Sequence, residues 1–425
     1  MTLRLAARNL LRNRWRTGLT VCGVAAAVGL LIWITGFMDA YLQEMATATV
    51  RSRLGHVQVT TAEYVDKPTL FNGIRDAEGV LAAASETPGV EVASPRLVAF
   101  GLIGHEQRSA PAQLLGVDPG AEAALTGLDA AVVSGRWLTA SPEPPPAPRE
   151  AVLGQGLAEQ LGVGVGAELV VFLQGADGSL GNDVMKVVGV AKIGDSNMNR
   201  LAVYLHRADV AWLTALEGSV HEISLLLGAG ADPAAVAADL SARLAKRPGA
   251  AEGPALAVRP WKTIVPELAD ILELSERANG IFYFIIFIIA GLGIFNTQRM
   301  TVLERRRELG VLLAVGLTPL RLAAVVLTEA VLVSALGALV GALLGGAVAY
   351  YHHVHGLSMA MFASTGDGSF DYMGLTIRGL LYYDFTWQML AEPALALVVV
   401  GLLCGLIPAV QAARLTIVTA ISGRT

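Results

Sequence analysis

Ile281-Phe-Tyr-Phe-Ile-Ile-Phe-Ile-Ile-Ala, the centre of an uncharged run from Gly280 to Gln298, decides the class of this chain. A helix needs about 20 largely apolar residues to cross roughly 30 Å of hydrocarbon. Three further stretches of comparable length run from Thr17 to Met38, Leu322 to Tyr351 and Pro393 to Ala413, interrupted only by Glu329. The composition agrees, with 54% apolar and 16% charged residues and a mean hydropathy of +0.55, whereas soluble domains carry about 25% charge. A net charge of −5 and a pI near 5.8 argue against a nucleic-acid partner. Cys22 and Cys404 both fall inside apolar runs, so neither a disulfide framework nor a Cys-based zinc site is expected.

Lys and Arg are enriched on cytoplasmic flanks of membrane helices. Arg4, Arg8, Arg12, Arg14 and Arg16 precede the first run; Arg299, Arg305, Arg306, Arg307 and Arg321 separate the second and third; Arg414 and Arg424 follow the fourth. These flanks read as cytoplasmic, placing both termini inside. The loop from Tyr351 to Glu392 has Arg378 against Asp367, Asp371, Asp384 and Glu392, and reads as external. The first run exceeds the about 7 to 15 residues of a signal-peptide core, and Thr35-Gly-Phe-Met-Asp-Ala is a poor cleavage site, so it reads as a retained anchor.

Between the first two runs, Gln43 to Arg277 is long enough for an independent domain. Extended patterns at Gly55–Thr60, Arg96–Ile103, Glu168–Leu173, Lys186–Val190 and Glu222–Leu227 alternate with helical ones at Arg75–Glu86, Gly156–Leu161, Arg207–Leu216 and Pro233–Lys246. This predicts an α+β domain in two lobes, with the proline-rich Ser141–Pro148 stretch as an exposed loop. From Trp261 to Ala278 an amphipathic pattern runs straight into the second span, and Asp39–Met45 continues the first outward without Gly or Pro; together they predict a helical stalk.

The motifs of catalysis are missing from the sequence. No Gly-x-x-x-x-Gly-Lys-[Ser/Thr] phosphate loop and no Gly-x-Ser-x-Gly elbow occurs, and His221-Glu-Ile-Ser-Leu lacks a second zinc histidine. His352, His353 and His355 are the densest metal-like group, but they sit where a span exits and read as interfacial polar residues; no metal is expected. Ser334, Gly337, Gly341 and Gly345 put small residues on one face of the third span, which permits close helix approach, either within the chain or to a second subunit. Glu329 is expected to be paired or capped, with Arg321 the nearest basic residue, or else to serve in proton coupling.

The residues from Glu304 to Gly316, Glu-Arg-Arg-Arg-Glu-Leu-Gly-Val-Leu-Leu-Ala-Val-Gly, form a short helix pattern with a charged start, an apolar patch and stop signals at Gly316 and Pro319. This segment, followed by Glu329, resembles the coupling-helix region of ABC-transporter permeases of the FtsX/MacB/LolC-LolE type. Leu5-Ala-Ala-Arg-Asn-Leu-Leu-Arg-Asn-Arg-Trp-Arg-Thr, Leu115-Gly-Val-Asp-Pro, Val152–Gly166 and Ile407-Pro-Ala-Val-Gln-Ala-Ala-Arg-Leu agree with that resemblance, leaning to the lipoprotein-releasing LolC/LolE branch. It implies four transmembrane α-helices with a large α+β, MacB-like periplasmic domain between the first and second. In residue ranges, it implies a cytoplasmic amphipathic helix 1–16, first span and stalk 17–42, periplasmic domain 43–260, stalk helix and second span 261–298, coupling helix 299–320, third span 321–351, short periplasmic loop 352–391, fourth span 392–413 and cytoplasmic tail 414–425.

The resemblance further implies a mechanotransmission permease of the type VII class in the bacterial inner membrane. A separate cytoplasmic ATPase dimer would hold ATP and Mg, with no cofactor on this chain, and a second permease subunit, identical or homologous, would pair with it. Glu304, Arg305, Arg306, Arg307, Glu308, Leu309, Gly310, Leu313, Ala314 and Gly316 would meet the ATPase. Ile32, Trp33, Phe37, Phe284, Phe287 and Ile288 are expected to line a cavity for a lipoprotein or other amphiphile destined for a periplasmic carrier. MacB-type efflux of peptides or drugs, and FtsX-like control of a cell-wall hydrolase, are the alternatives.

Overall fold

Four helices among the described residues are long and apolar enough to cross a bilayer: Arg14–Thr49, Pro266–Glu304, Pro319–His355 and Trp387–Ala413. The computed structural model describes residues 2–12, 14–142, 148–247, 253–359, 370–372, 375–377 and 380–416; most of the proline-rich stretch, Asp367, Arg378 and Arg424 lie outside them. In chain order the elements begin with α1 (Thr2–Arg12), α2 (Arg14–Thr49), a π-helical turn (Val50–Leu54), β1 (Val57–Thr61), α3 (Ala62–Asp66), α4 (Ala77–Ser85), β2 (Val90–His105), β3 (Arg108–Val117), α5 (Pro119–Thr126) and β4 (Val132–Gly135). They continue with β5 (Arg149–Gly154), α6 (Gln155–Leu161), β6 (Glu168–Gln174), β7 (Leu180–Ala191), α7 (Ser196–Leu201), β8 (Ala202–His206), α8 (Arg207–Thr214), β9 (Glu222–Leu227), α9 (Pro233–Ala245) and β10 (Leu256–Pro260). The last helices are α10 (Trp261–Ile264), α11 (Pro266–Glu304), α12 (Arg306–Ala314), α13 (Pro319–His355) and α14 (Trp387–Ala413). They divide into two compact units, one of Met1–Gln43, Ile271–Ser358 and Gly379–Thr425, the other of Glu44–Asp270 and Met359–Arg378.

In the helical unit, small residues set the packing. A Cβ added to Gly337 would lie 2.6 Å from Val24 Cβ, one on Gly341 2.5 Å from the Ala25 carbonyl oxygen, and one on Gly345 2.9 Å from Gly29 Cα. The seam on α13 therefore meets the chain's own first span, α2, at backbone distance, which only small residues allow. Ser334, on the same helix, packs instead against Gly401 of α14, and Gly291 of α11 approaches Cys404 and Val400 of α14. The packing order is thus α2, α13, α14, α11. At about 1.5 Å per residue, α2 and α11, of 36 and 39 residues, outrun a 30 Å hydrocarbon layer by more than 20 Å each.

In the inserted unit, β2 pairs β3, β3 pairs β8, β8 pairs β5, β5 pairs β7, β7 pairs β6, and β6 returns to β2. Six strands thereby close on themselves. Alternate residues point inward, as the two-residue strand period requires: Leu97, Ala99 and Ile103 of β2, Leu169, Val171 and Leu173 of β6, and their counterparts fill one apolar core. The first half of β2 instead pairs β9, which pairs β1, which pairs β10. Helices α4 and α9 supply Val80, Ala84, Leu240 and Leu244 to the core of this second lobe. The two lobes thus share β2.

Candidate functional site

The segment joining α11 to α13 is built as a short helix of its own, closed at its C-terminal end. After α11 ends at Glu304, Arg305 leaves helical geometry with φ −94° and ψ 11°, and α12 begins. Glu308 in its first turn complements the positive end of the helix. At the other end Gly316 takes φ +98°, its N–H donates to the Leu313 carbonyl (3.1 Å), and the Leu317 N–H donates to the Leu312 carbonyl (3.0 Å). This paired closure needs a residue without a Cβ at the left-handed position. Thr318 then precedes α13 in extended geometry, with Pro319 at its first position.

Leu309 is 2% exposed and packs with Leu322, Val326, Ala409 and Ala412, while Leu312, Leu313 and Leu317 close around them. Leu309 and Gly310 are therefore seats that hold α12 on the bundle. Arg307, Val311, Ala314, Val315 and Gly316 are turned to the exterior, Val311 at 50% and Val315 at 81% exposed. Among the residues expected to meet a partner, Arg307, Ala314 and Gly316 face outward, Arg306 and Leu313 are half-buried, and Glu304, Arg305 and Glu308 are engaged within the chain. Val315, absent from that set, is the most exposed apolar residue of the segment; its place one turn after Val311 is the signal that could have found it.

Glu329 is 3% exposed. It accepts from Asn9 Nδ2 at 2.6 Å and from Arg305 Nη1 at 3.2 Å to each oxygen. The expected partner, Arg321, is not the one used: it stands eight residues along the same helix, about 12 Å of rise away. Arg305 Nε also reaches Glu308 at 3.3 Å, Arg12 pairs with Glu308 at 2.9 Å, and Arg16 holds Glu304 through two hydrogen bonds of 2.7 and 2.5 Å. A cavity of about 70 Å³ lies among these groups, lined also by Thr17, Thr20, Thr297 and Thr301.

An open apolar groove of about 420 Å³ runs between α2 and α11, lined by Leu19, Val24, Leu30, Ile286, Ile289 and Ile294 among others. None of the six residues expected to line a substrate cavity is in it. Ile32 is fully buried with its Cδ1 toward Gly345 of α13, because it shares a helix face with Ala25 and Val28. Trp33 and Phe37 instead stack along α2 with ring centroids 6.0 Å apart, Phe37 continues to Tyr41 at 6.1 Å, and the Tyr383 hydroxyl donates to the Trp33 carbonyl at 3.4 Å. Phe284 and Ile288 are exposed on α11, and Phe287 leans on Tyr283.

In the inserted domain several buried polar groups engage one another. Arg96, 1% exposed, donates to Glu122 from Nε (2.8 Å) and Nη2 (2.7 Å) and to Ser224 (3.3 Å), with Glu222 at 3.6 Å. Ser94 adds a bond to Glu122 at 2.9 Å and Gln58 one to Glu222 at 2.8 Å. His221 accepts the Val98 N–H at Nδ1 (3.0 Å) and faces the Leu70 carbonyl with Nε2 (3.0 Å); burial pushes its pKa down. Burial opposes ionisation of Glu150, but Arg136 and the Thr139 N–H and hydroxyl outweigh it and hold the carboxyl at about 2. His353 and His355 meet the carbonyls of Tyr383 (2.7 Å) and Tyr351 (3.2 Å). Among the described residues no three His, Cys, Asp or Glu side chains are arranged to hold a metal ion.

Residues 17–243 match the family model of the MacB-like periplasmic core domain, and residues 280–417 that of the FtsX-like permease C-terminal region. The chain is 23% identical over 334 residues to the lipoprotein-releasing system transmembrane protein LolC of Neisseria meningitidis, covering 77% of this chain and 76% of that one. It is 25% identical over 245 residues to the macrolide export ATP-binding/permease protein MacB of Escherichia coli, covering 56% of this chain and 33% of that one. The crystal structure of the periplasmic region of MacB from Actinobacillus actinomycetemcomitans aligns with a TM-score of 0.39 at 13% identity, over 52% of this chain and 95% of that one. With its four apolar helices, an α+β periplasmic domain between the first and second, and a family model covering more than half its length, this multi-pass inner-membrane chain belongs to the FtsX/MacB/LolC family of ABC-transporter permeases.

Proposed function

We propose that this permease converts ATP hydrolysis on a separate ATPase into movement of its periplasmic domain, and that it extracts a lipoprotein or similar amphiphile from the outer leaflet for a periplasmic carrier. The observation that carries the reading is α12: a short helix closed at its C-terminal end by Gly316 and seated by Leu309, with Arg307, Val311, Ala314 and Val315 exposed on one side. Such a helix offers a nucleotide-driven partner a stiff surface to push. Both termini and α12 are cytoplasmic on this reading, as the Arg-rich flanks require, and ATP with Mg belongs to the partner.

The substrate reading is supported by the LolC likeness over most of both chains and by the apolar surfaces of α2 and α11. Each CH₂ of an acyl chain is held in the bilayer by about 0.8 kcal/mol, so extraction needs an external source of energy. A second permease subunit completes the assembly. The glycine seam of α13 is occupied by α2, which leaves the exposed Ile281, Phe284, Ile285 and Ile289 of α11 as the apolar face for that neighbour.

The test is reconstitution in vesicles with the ATPase and a fluorescent triacylated lipopeptide. ATP-dependent transfer of the lipopeptide to soluble acceptor is expected, with no hydrolysis by the permease alone. Hydrolysis by the purified chain would overturn the division of labour, and transport of soluble peptides without lipopeptide transfer would overturn the substrate.

A further inference from the structure

Asn9 and Arg12 lie three residues apart on one face of α1, and Arg16 stands in the first turn of α2. Each meets an acid on a different element: Asn9 the Glu329 of α13, Arg12 the Glu308 of α12, and Arg16 the Glu304 that ends α11. Arg305 closes the circuit by contacting both Glu329 and Glu308. A ring of five side chains therefore runs Asn9, Glu329, Arg305, Glu308, Arg12 and back to α1. Neither Asn9 nor Arg12 is needed to seat α12, whose apolar contacts with α13 and α14 already do so.

We propose that α1 is a force-bearing strap, with Glu329 and Arg305 as the positioning residues through which displacement of α12 passes to α1 and, with the Arg16–Glu304 clamp, to the first span. The physical reason is directionality. Apolar packing tolerates sliding, but hydrogen bonds already near 3 Å are lost when partners slip by ~1 Å. Slippage here would also leave the buried Glu329 carboxylate without its donors, which is costly. α12 and α1 are thereby made to move together, and α1 continues in sequence into α2.

The strap rests on the reading of α12 as the element an ATPase moves; the ring itself does not. Spin labels at Arg8→Cys and Val311→Cys, both exposed positions, in a chain lacking Cys22 and Cys404, would report the α1–α12 distance by pulsed electron resonance in nanodiscs. A narrow distribution is expected. It should broaden in Asn9→Ala and broaden further when Asn9→Ala is combined with Arg12→Ala, which removes both ring members on α1. In the unlabelled chain with its ATPase, Asn9→Ala should lower lipopeptide transferred per ATP hydrolysed by about tenfold. A broad parent distribution, or one that neither variant changes, would overturn the strap with the functional reading intact. An unlabelled parent chain that binds no ATPase would instead overturn the functional reading and, with it, the role given to the strap.

Discussion

Removing Glu122 tests how the periplasmic domain is held together at the point where its lobes share β2. Arg96 cannot shed its proton to escape burial, and its charged form is further favoured by Glu122 and Glu222. Glu122→Ala strips the guanidinium of its bidentate carboxylate and Ser94 of its acceptor. Taking one partner from a buried pair costs about 3–5 kcal/mol. Glu222, 3.6 Å away, keeps part of the compensation, which places the expectation at the lower end, about 3 kcal/mol. At tenfold per about 1.4 kcal/mol, amides of β2 around Leu97 and Ala99 should lose roughly 100-fold in protection when hydrogen exchange is followed by mass spectrometry on the whole chain in nanodiscs. Arg96→Met combined with Glu122→Leu and Glu222→Gln should cost much less than the single change, because neither a cation nor an anion is left stranded. A combined variant as damaged as Glu122→Ala would show that shape, not charge pairing, holds the site; a loss under threefold in the single variant would refute the reasoning.

Gly341→Ala should lower the detergent-solubilised unfolding midpoint, since its methyl would sit 2.5 Å from the Ala25 carbonyl and overpacking costs about 1–3 kcal/mol; Gly280→Ala, in open space, should leave the midpoint in place. His221 has a folded pKa below its unfolded one, so its contribution is full above the usual imidazole value and is lost as pH falls from there through the folded value; exchange at Val98, corrected for intrinsic rate, should rise between pH 7 and 5 and be pH-independent in His221→Gln. Glu150, held at about 2 against an unperturbed 4.5, stabilises above pH 4.5 and loses this as pH falls toward 2; Glu150→Gln should flatten the acid limb of a stability curve by on the order of 2 kcal/mol, after discount for the half-exposed Arg136. Val315→Asp should abolish co-purification of the ATPase while leaving thermal stability of the chain unchanged, because the side chain is 81% exposed; retained co-purification would move the docking surface off α12.

The spans were legible because hydrocarbon imposes a length and a charge rule on any chain that crosses it, and Thr17–Met38 or Gly280–Gln298 obeys both without help from tertiary context. Strands carry weaker signals. β3 shows no clear pattern because Pro111 interrupts it, yet the proline stands opposite Leu102 of β2 and precedes the Gln113–Val117 stretch where β8 joins the other side. β7 was read only from Lys186 to Val190, since its outer half, Leu180–Met185, pairs β6 on a face largely open to solvent. At the site, the partners of Glu329 come from 24 and 320 residues away in sequence, a relation no local spacing encodes. Ile32 was grouped with its neighbour Trp33, although adjacent residues on a helix point about 100° apart; its relation to Ala25 and Val28 was the informative one.

The two long helices that leave the helical unit also root in one place, and this bears on how a pull would be distributed. α2 passes through the π-helical turn to His56 and β1, while β10 passes through α10 to α11. β1 and β10 are antiparallel neighbours paired from Val57 with Pro260 to Thr61 with Leu256, and the Trp261 N–H donates to the His56 carbonyl at 3.0 Å. A displacement of one helix against the other is therefore felt first as shear along a single ladder. That ladder resists slip, because a one-residue shift would turn Val57 and Val59 out of their core and their polar neighbours in. The load continues through β9 into β2, and the side-chain bonds that span those strands are Gln58 to Glu222 and Arg96 to Ser224. Buried ion pairs seldom add much net stability over apolar packing; what they add is fixed register. On the proposed reading, register is what this domain needs, since a domain that yields between its lobes would absorb the stroke rather than deliver it.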